Sequence, residues 1–265
     1  MHSDIFDRYH SGESRLHRLD PRVKVLSAVG FILAIVLLPD GAWPAYLLAW
    51  AMILGASLFS NLGMGFTFRR SFVALPFALA AVTAIFNIPG ESLWTWQIGS
   101  LELTATVEGM VRFISIVIRS WLSVQAAILL VAVTQFPDLI HALEHLHVPA
   151  ILTTIVAFLY RYLFVLTDEV FRMMRAREAR SAALPGQRSG GSLTWRAGTA
   201  GHMAGQLFLR SYERSDRIYN AMLARGYTGH IRTLHPHAMT RADWLAGALA
   251  LTAMLLLQIA GHLSF

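Results

Sequence analysis

The 265-residue sequence contains no cysteine and a single lysine, Lys24. The first absence excludes disulfides, thiolate nucleophiles and cysteine metal sites. The second excludes a nucleotide-binding P-loop, which needs a lysine after a glycine-rich turn, because Lys24 follows Pro21-Arg22-Val23. Charge of any sign is scarce, at 14% of residues, where a soluble domain carries about 25%. What charge there is leans one way: twenty-one arginines dominate a formal net charge of +6. Arginine never loses its proton and presents a planar fork of donors, which suits ion pairing at an interface. Hydrophobic residues make up 55% of the chain, and the mean hydropathy is +0.50. This is the composition of a polytopic membrane protein. Residues 1–22 mix acids, histidines and arginines without the pattern of a signal peptide, and are expected to form a cytoplasmic lead-in.

Apolar runs punctuate the chain. Residues 23–38 form the first, ended by the turn signal Pro39-Asp40-Gly41. Residues 43–60 form the second, with Trp43 and Tyr46 where interfacial aromatics usually sit. After Arg69-Arg70 comes a third at 72–86, interrupted by Pro76, and then a polar loop over 87–103 that holds Trp94 and Trp96. A fourth run covers 113–133, with Arg112 before it and Arg119 near its start, and the last covers 244–263. Each approaches the ~20 residues needed to cross a ~30 Å hydrocarbon core.

Residues 151–170 read by hydropathy as another span, and the distribution of arginine tests that reading. With residues 1–22 inside, four spans return the chain to the inside at Thr134. A further crossing would put the eleven arginines of 172–232 outside and Arg161 in mid-membrane, which is unfavourable on both counts. The expectation is that 151–170 lies along or partly within the membrane face. The fold predicted is all-α: a polytopic helical membrane protein with about five spans and a cytoplasmic helical coupling domain. Its parts would be a membrane domain (1–133), a cytoplasmic or interfacial coupling-helix domain (134–241) and a C-terminal transmembrane helix (242–265).

Within the insert, residues 171–183 are helical in character and the Pro/Gly cluster of 184–191 breaks them. A second helix is expected over about 192–225. Phe208, Tyr212, Ser215, Tyr219 and Met222 form an apolar stripe along it, expected to pack helix on helix, with Arg210, Arg214 and Arg217 towards the other side. Glu213 stands four residues before Arg217, and Gly226 is positioned as a C-terminal cap. Arg225 would then project from the last turn. The insert also echoes itself: Met174-Arg175-Ala176-Arg177 aligns with Met222-Leu223-Ala224-Arg225 without gaps. A helix end carrying a bare guanidinium is suited to docking into a groove of another protein, where it pairs with buried carboxylates.

With these features the sequence resembles the transmembrane coupling (T) component of energy-coupling factor (ECF) transporters, and within it the CbiQ-like branch of cobalt and nickel importers. The resemblance spans nearly the whole chain. It rests on "SRLHRLDPRVKVL" at 14–26, which contains Asp20, Pro21, Arg22 and Lys24, on the paired Ala-Arg sequences, and on a final span after the insert. It implies that two helix ends, Ala176-Arg177-Glu178 and Ala224-Arg225-Gly226, dock into the two subunits of an ATP-binding-cassette (ABC) ATPase dimer. Glu178 stands where the family typically has glycine, which leaves open whether the first helix ends at Arg177 or continues towards Pro185. The partners implied are that ATPase dimer, a substrate-binding membrane subunit of CbiM/CbiN type, and the lipid bilayer. The chain would carry no cofactor, ATP-Mg being held by the ATPase. The location implied is the bacterial inner (plasma) membrane, with the N-terminus cytoplasmic.

Other classes fit less well. His141 and His145, four apart in "HALEHLH" with Glu144 near, have a spacing that binds divalent metal; the plainer reading is an amphipathic helix with histidines at the wet edge of the membrane, and no metal site is assigned. A serine-protease nucleophile motif and a dense aspartate array are both missing. A stand-alone channel or secondary transporter would use Arg112 and Arg119 along a pathway; otherwise these snorkel or pair with Glu108. Nucleic acid is not expected as a partner, since basic stretches beside an anionic leaflet more often meet lipid head groups.

Overall fold

The computed structural model describes residues 9–10, 12, 14–98, 101–181, 191–229 and 239–263. The 184–190 part of the expected helix break lies outside these. The chain divides into two compact units, one drawn from 7–146 and 236–265, the other from 147–235.

In the first unit Ser14 caps a single turn, α1 (Arg15–Arg18), and Asp20 caps α2 (Pro21–Val36) by accepting from the Arg22 amide at 2.8 Å. Pro21 occupies the first turn, where its missing N–H is no loss. Helix α3 (Trp43–Phe59) returns, likewise with a proline in its first turn. The third apolar run differs from expectation, because it is not one helix. After α4 (Met64–Arg70), it is broken into a 3₁₀ turn (Ser71–Ala74), α5 (Leu75–Ala81) and α6 (Ala84–Asn87). Proline removes a donor and clashes with the preceding turn, so Pro76 sits at the start of a new helix rather than inside an old one. A seven-residue piece such as α5 rises only about 10 Å and cannot cross alone. Phe68 and Phe72 hold the broken segment against Trp121, at ring separations of 5.4 and 5.8 Å.

The expected loop at 87–103 also differs. Most of it is an antiparallel hairpin of β1 (Ser92–Ile98) and β2 (Leu101–Thr106). The two-residue Gly99-Ser100 spacer between alternating runs is its sequence signal. Thr106 then caps α7 (Val107–Val133) by accepting from the Gly109 amide at 3.1 Å. A short helix α8 (Phe136–His145) follows, and the unit closes with α11 (Arg241–Leu263).

The core joins α2, α3, α7 and α11. Ile35 and Leu257 are fully buried, surrounded by Phe31, Leu38, Tyr46, Ile53 and Leu122. Ala42, Ala45 and Ala49 repeat along one face of α3 and are fully buried, which lets backbones approach closely where lipid gives no hydrophobic drive for association. Gln258 donates to the Ala34 carbonyl at 2.8 Å, tying α11 to α2. Towards the lipid the helices present Leu33, Leu47, Leu251 and Leu255, each more than half exposed.

The second unit holds two long helices, α9 (Ala150–Arg180) and α10 (Leu193–Ala224). Residues 151–170 therefore belong to α9. They form the first part of one unbroken helix that runs through 171–180. Three described helices, α7, α9 and α11, are long and apolar enough to cross a bilayer.

Candidate docking ends and the N-terminal node

Helix α10 ends at Ala224, with Arg225 as its cap residue. Gly226 takes a φ of +78°, the left-handed conformation that glycine reaches without a steric cost. The Gly226 amide donates to the Leu223 carbonyl and the Tyr227 amide to the Met222 carbonyl, both at 3.0 Å. This is the doubly bonded glycine cap that satisfies carbonyls otherwise left unpaired at a helix end. It stops the helix one residue after Ala224 and leaves Ala224, Arg225 and Gly226 exposed. Among the described residues no carboxylate pairs with Arg225 or with Arg177.

The first Ala-Arg pair is set differently. Helix α9 continues past Ala176, Arg177 and Glu178 to Arg180, and Ser181 closes it by donating from both its amide and its hydroxyl to the Arg177 carbonyl, at 3.0 and 2.9 Å. Glu178 supplies no left-handed residue, so the turn that glycine makes at 226 is not made at 178. Ala176 and Glu178 are exposed and Arg177 is half-buried. The gapless echo in sequence thus becomes one true helix end and one site a turn inside a helix.

The apolar stripe of α10 also lies differently from the expectation. Phe208, Tyr212 and Tyr219 are 68, 60 and 57% exposed. The half-buried face is instead Met203, Leu207, Ser211, Arg214, Ile218 and Met222. Arg210 reaches Glu169 of α9 at 2.6 Å, and Arg172 binds the same carboxylate. Two guanidiniums thus bind one carboxylate in the second unit's helix pair. The sequence shows Glu169 and Arg172 as an i, i+3 pair, but nothing local marks Arg210. The expected Glu213–Arg217 pair is at 4.0 Å with both side chains exposed, a geometry worth little.

Asp20, Pro21, Arg22 and Lys24 come together in the first unit as a junction of helix ends. Asp20 caps α2 with its side chain, while its own amide donates to Asp243 Oδ1 at 2.8 Å. Asp243 also accepts from the Thr240 amide and hydroxyl, at 2.8 and 2.6 Å, at the start of α11. Lys24 is buried, and its ammonium donates to the carbonyls of His17 at 2.9 Å and Val133 at 3.2 Å. It thereby closes the ends of α1 and α7 and faces the charges of Asp138, Asp20 and Asp243. Asp243 was not singled out from the sequence; the Thr240-x-x-Asp243 spacing, a capping-box pattern, is the signal that marks it.

Arg112 and Arg119 do not pair with Glu108, which instead accepts from the Glu91 amide at 3.0 Å. Their partner is Asp40, in the α2–α3 turn. Arg119 meets it at 2.7 Å and donates from Nε to the Tyr46 hydroxyl at 3.0 Å, while Arg112 lies at 3.8 Å. His145 Nδ1 donates to the His141 carbonyl at 3.0 Å, and among the described residues no group of three metal-binding side chains forms.

Comparison with known proteins decides the family. The CbiQ family, described as a cobalt transport protein, matches residues 12–236. The chain belongs to the CbiQ family. It is similar to the energy-coupling factor transporter transmembrane protein EcfT of Acidaminococcus fermentans, at 30% identity over 97% of either chain. The EcfT of Lacticaseibacillus paracasei is 29% identical over 96% of this chain and 97% of its own. An uncharacterized protein of Methanocaldococcus jannaschii is 28% identical over 96% of this chain and 86% of its own. This CbiQ-family chain is thus a membrane-embedded T component of an ECF transporter, a non-catalytic transport subunit with an all-α fold.

Proposed function

We propose that this T component joins an ABC ATPase dimer to a substrate-binding membrane subunit and carries force between them during import. The observation that carries the reading is the end of α10, where a glycine cap presents Arg225, exposed and, among the described residues, with no carboxylate paired to it. Arginine in that setting forms charge-assisted hydrogen bonds of about 1.5–3 kcal/mol with buried acceptors on a partner. Arg177, one turn inside α9, makes the second contact, with Ala176, Glu178, Ala224 and Gly226 as the surrounding surface. The rigid α9 and α10 turn a displacement at their ends into a displacement along their lengths. For the motion to do work, the contacts at Arg177 and Arg225 must differ between the open and closed ATPase.

The family description, a cobalt transport protein, supports cobalt as the cargo, while nickel as an alternative and a CbiM/CbiN-like subunit that selects the metal rest on the resemblance drawn from the sequence. ATP-Mg belongs to the ATPase, and this chain needs no cofactor of its own. The arginine-rich stretch 172–232 supports an inner-membrane location with the N-terminus and coupling helices in the cytoplasm. The division is then a membrane domain at 1–133, coupling helices within 134–241 and a last span at 242–265. A stand-alone pathway has less support, because Asp40 pairs with Arg119 at 2.7 Å, which occupies Arg119 in a structural ion pair, and lies 3.8 Å from the exposed Arg112.

Affinity purification of the tagged chain from its host's membranes in mild detergent tests this. An ATPase and a second membrane protein are expected to co-purify. Arg225→Glu is expected to lower ATPase recovery about ten- to hundredfold, from losing one such bond, and to abolish metal uptake with membrane insertion intact. Recovery of the chain alone, or equal ATPase recovery with the variant, overturns the assignment.

A further inference from the structure

Helices α2 and α11 pack in step along their whole length. The Asp20 amide binds Asp243 Oδ1, and a Cβ at Gly247 would lie 3.7 Å from Val23 Cγ1. Further along, Met254 Sδ lies 3.1 Å from where a Gly30 Cβ would stand, and Gly261 abuts Leu38. Between these, Gln258 donates to the Ala34 carbonyl at 2.8 Å. Each partner on α11 stands 223 or 224 positions after its mate. A constant offset over all these contacts means two parallel helices in fixed register, with glycines that let their axes come close.

One end of this seam holds the chain at the two places where it leaves and rejoins the first unit. The second unit's segment, 147–235, departs after Leu146 and returns at Pro236. On the departing side, Lys24 near the start of α2 donates to the carbonyl of Val133, the last residue of α7. The next element, α8, packs on α2, and Asp138 in its first turn faces Lys24. On the returning side, Asp243 in the first turn of α11 accepts from Thr240 and from the Asp20 amide. Asp20, Lys24 and Asp243 are all buried. A displacement within 147–235 does mechanical work on another subunit only if the ends of the segment are held; a loose end turns it into slack. Coupling of this kind is carried by rigid elements and hydrogen-bond networks that join them.

We propose that α2 and α11 form one rigid body that anchors both ends of the segment 147–235 through Asp20, Lys24 and Asp243, an inference that rests on the coupling function above. These three are positioning residues for transport. They take no part in docking the ATPase, which falls to the ends of α9 and α10. With the anchor intact, motion of the docked helix ends reaches the substrate-binding subunit; with it broken, ATP is hydrolysed without import.

The co-purified complex, reconstituted into proteoliposomes, tests this through cobalt(II) taken up per ATP hydrolysed. Asp243→Ala removes the acceptor of the Asp20 amide together with part of the α11 cap. Thr240→Ala weakens the same cap but leaves the Asp20–Asp243 bond in place. Asp243→Ala is expected to recover as much ATPase as the unmodified chain and to lower uptake per ATP several-fold. Thr240→Ala is expected to match the unmodified chain in both. Unchanged uptake per ATP in Asp243→Ala overturns the proposal, and so does an equal fall in Thr240→Ala, which makes the cap the cause. Lost ATPase recovery by a folded Asp243→Ala puts this residue in docking and also overturns it. A second measurement leaves Asp243 unchanged. The chain has no cysteine, so Val23→Cys with Gly247→Cys can be bridged across the seam by a short, reducible bis-methanethiosulfonate. Bridging is expected to leave uptake per ATP unchanged, because the seam stays closed through the cycle. Uptake lost on bridging and restored by reduction shows that α2 and α11 must part, and overturns the proposal even if Asp243→Ala fails to fold. Failure of the unmodified chain to recover an ATPase overturns instead the function on which the proposal rests.

Discussion

At the scale of single residues, Lys24 illustrates what a charge does inside this protein. It is 8% exposed, and burying an ammonium is unfavourable unless donors and charges are matched. Here two carbonyls at helix ends accept its protons and three aspartates face it. Lys24→Met removes the donors and leaves the carbonyls of His17 and Val133 unsatisfied. The expected loss is about 1.5–3 kcal/mol, read as a lower thermal unfolding midpoint in detergent; an unchanged midpoint would refute the role. The sequence shows Lys24 as the sole lysine in a recognisable motif, but not its partners. Val133 lies 109 positions away, and the Asp20–Asp243 bond spans 223. Arg119 is another such case. Glu108 is near in sequence, yet the α2–α3 turn brings Asp40 closer in space.

At the scale of elements, the end of α10 was legible because its signal is local. Glycine after a helical run accepts the left-handed turn, and Gly226 does so. No atom lies within 4 Å of where a Cβ would stand, so Gly226→Ala tests conformation alone. That residue pays a left-handed strain of about 1–2 kcal/mol, and is expected to speed hydrogen exchange at the amides of Gly226 and Tyr227. Gly226→Asn, whose side chain tolerates the conformation, is expected to exchange more slowly than the alanine variant. Equal exchange in all three proteins would show that φ does not control the cap. The end of α9 was left open by the sequence, since Glu178 neither caps nor breaks a helix. The third apolar run misled because hydropathy records grease and not continuity, whereas Pro76 governs where a helix starts. The hairpin was overlooked because Trp94 and Trp96 sit among polar residues, while the two-residue spacer Gly99-Ser100 carried the signal.

At the scale of the whole molecule, one core holds four helices of the first unit, and Leu257 of α11 is fully buried at its centre. Leu257→Ala is expected to cost about 2–3 kcal/mol, towards the low end of the range because lipid, like the core, is apolar. A single cooperative transition at lower temperature in detergent would agree with that, and an unchanged midpoint would not. Composition by itself determined the class of the protein: scarce charge and long apolar runs cannot form a water-soluble domain. Local patterns determined the helical character, the cap at Gly226 and the family motif, because each depends on residues within a few positions of one another. Tertiary structure alone decided which α10 face is half-buried, that Arg210 binds Glu169, that Asp40 pairs with Arg119, and that Asp20 and Asp243 join α2 to α11. Those outcomes depend on which elements pack together, and packing selects partners by shape and distance in space, which a linear order of residues does not encode locally.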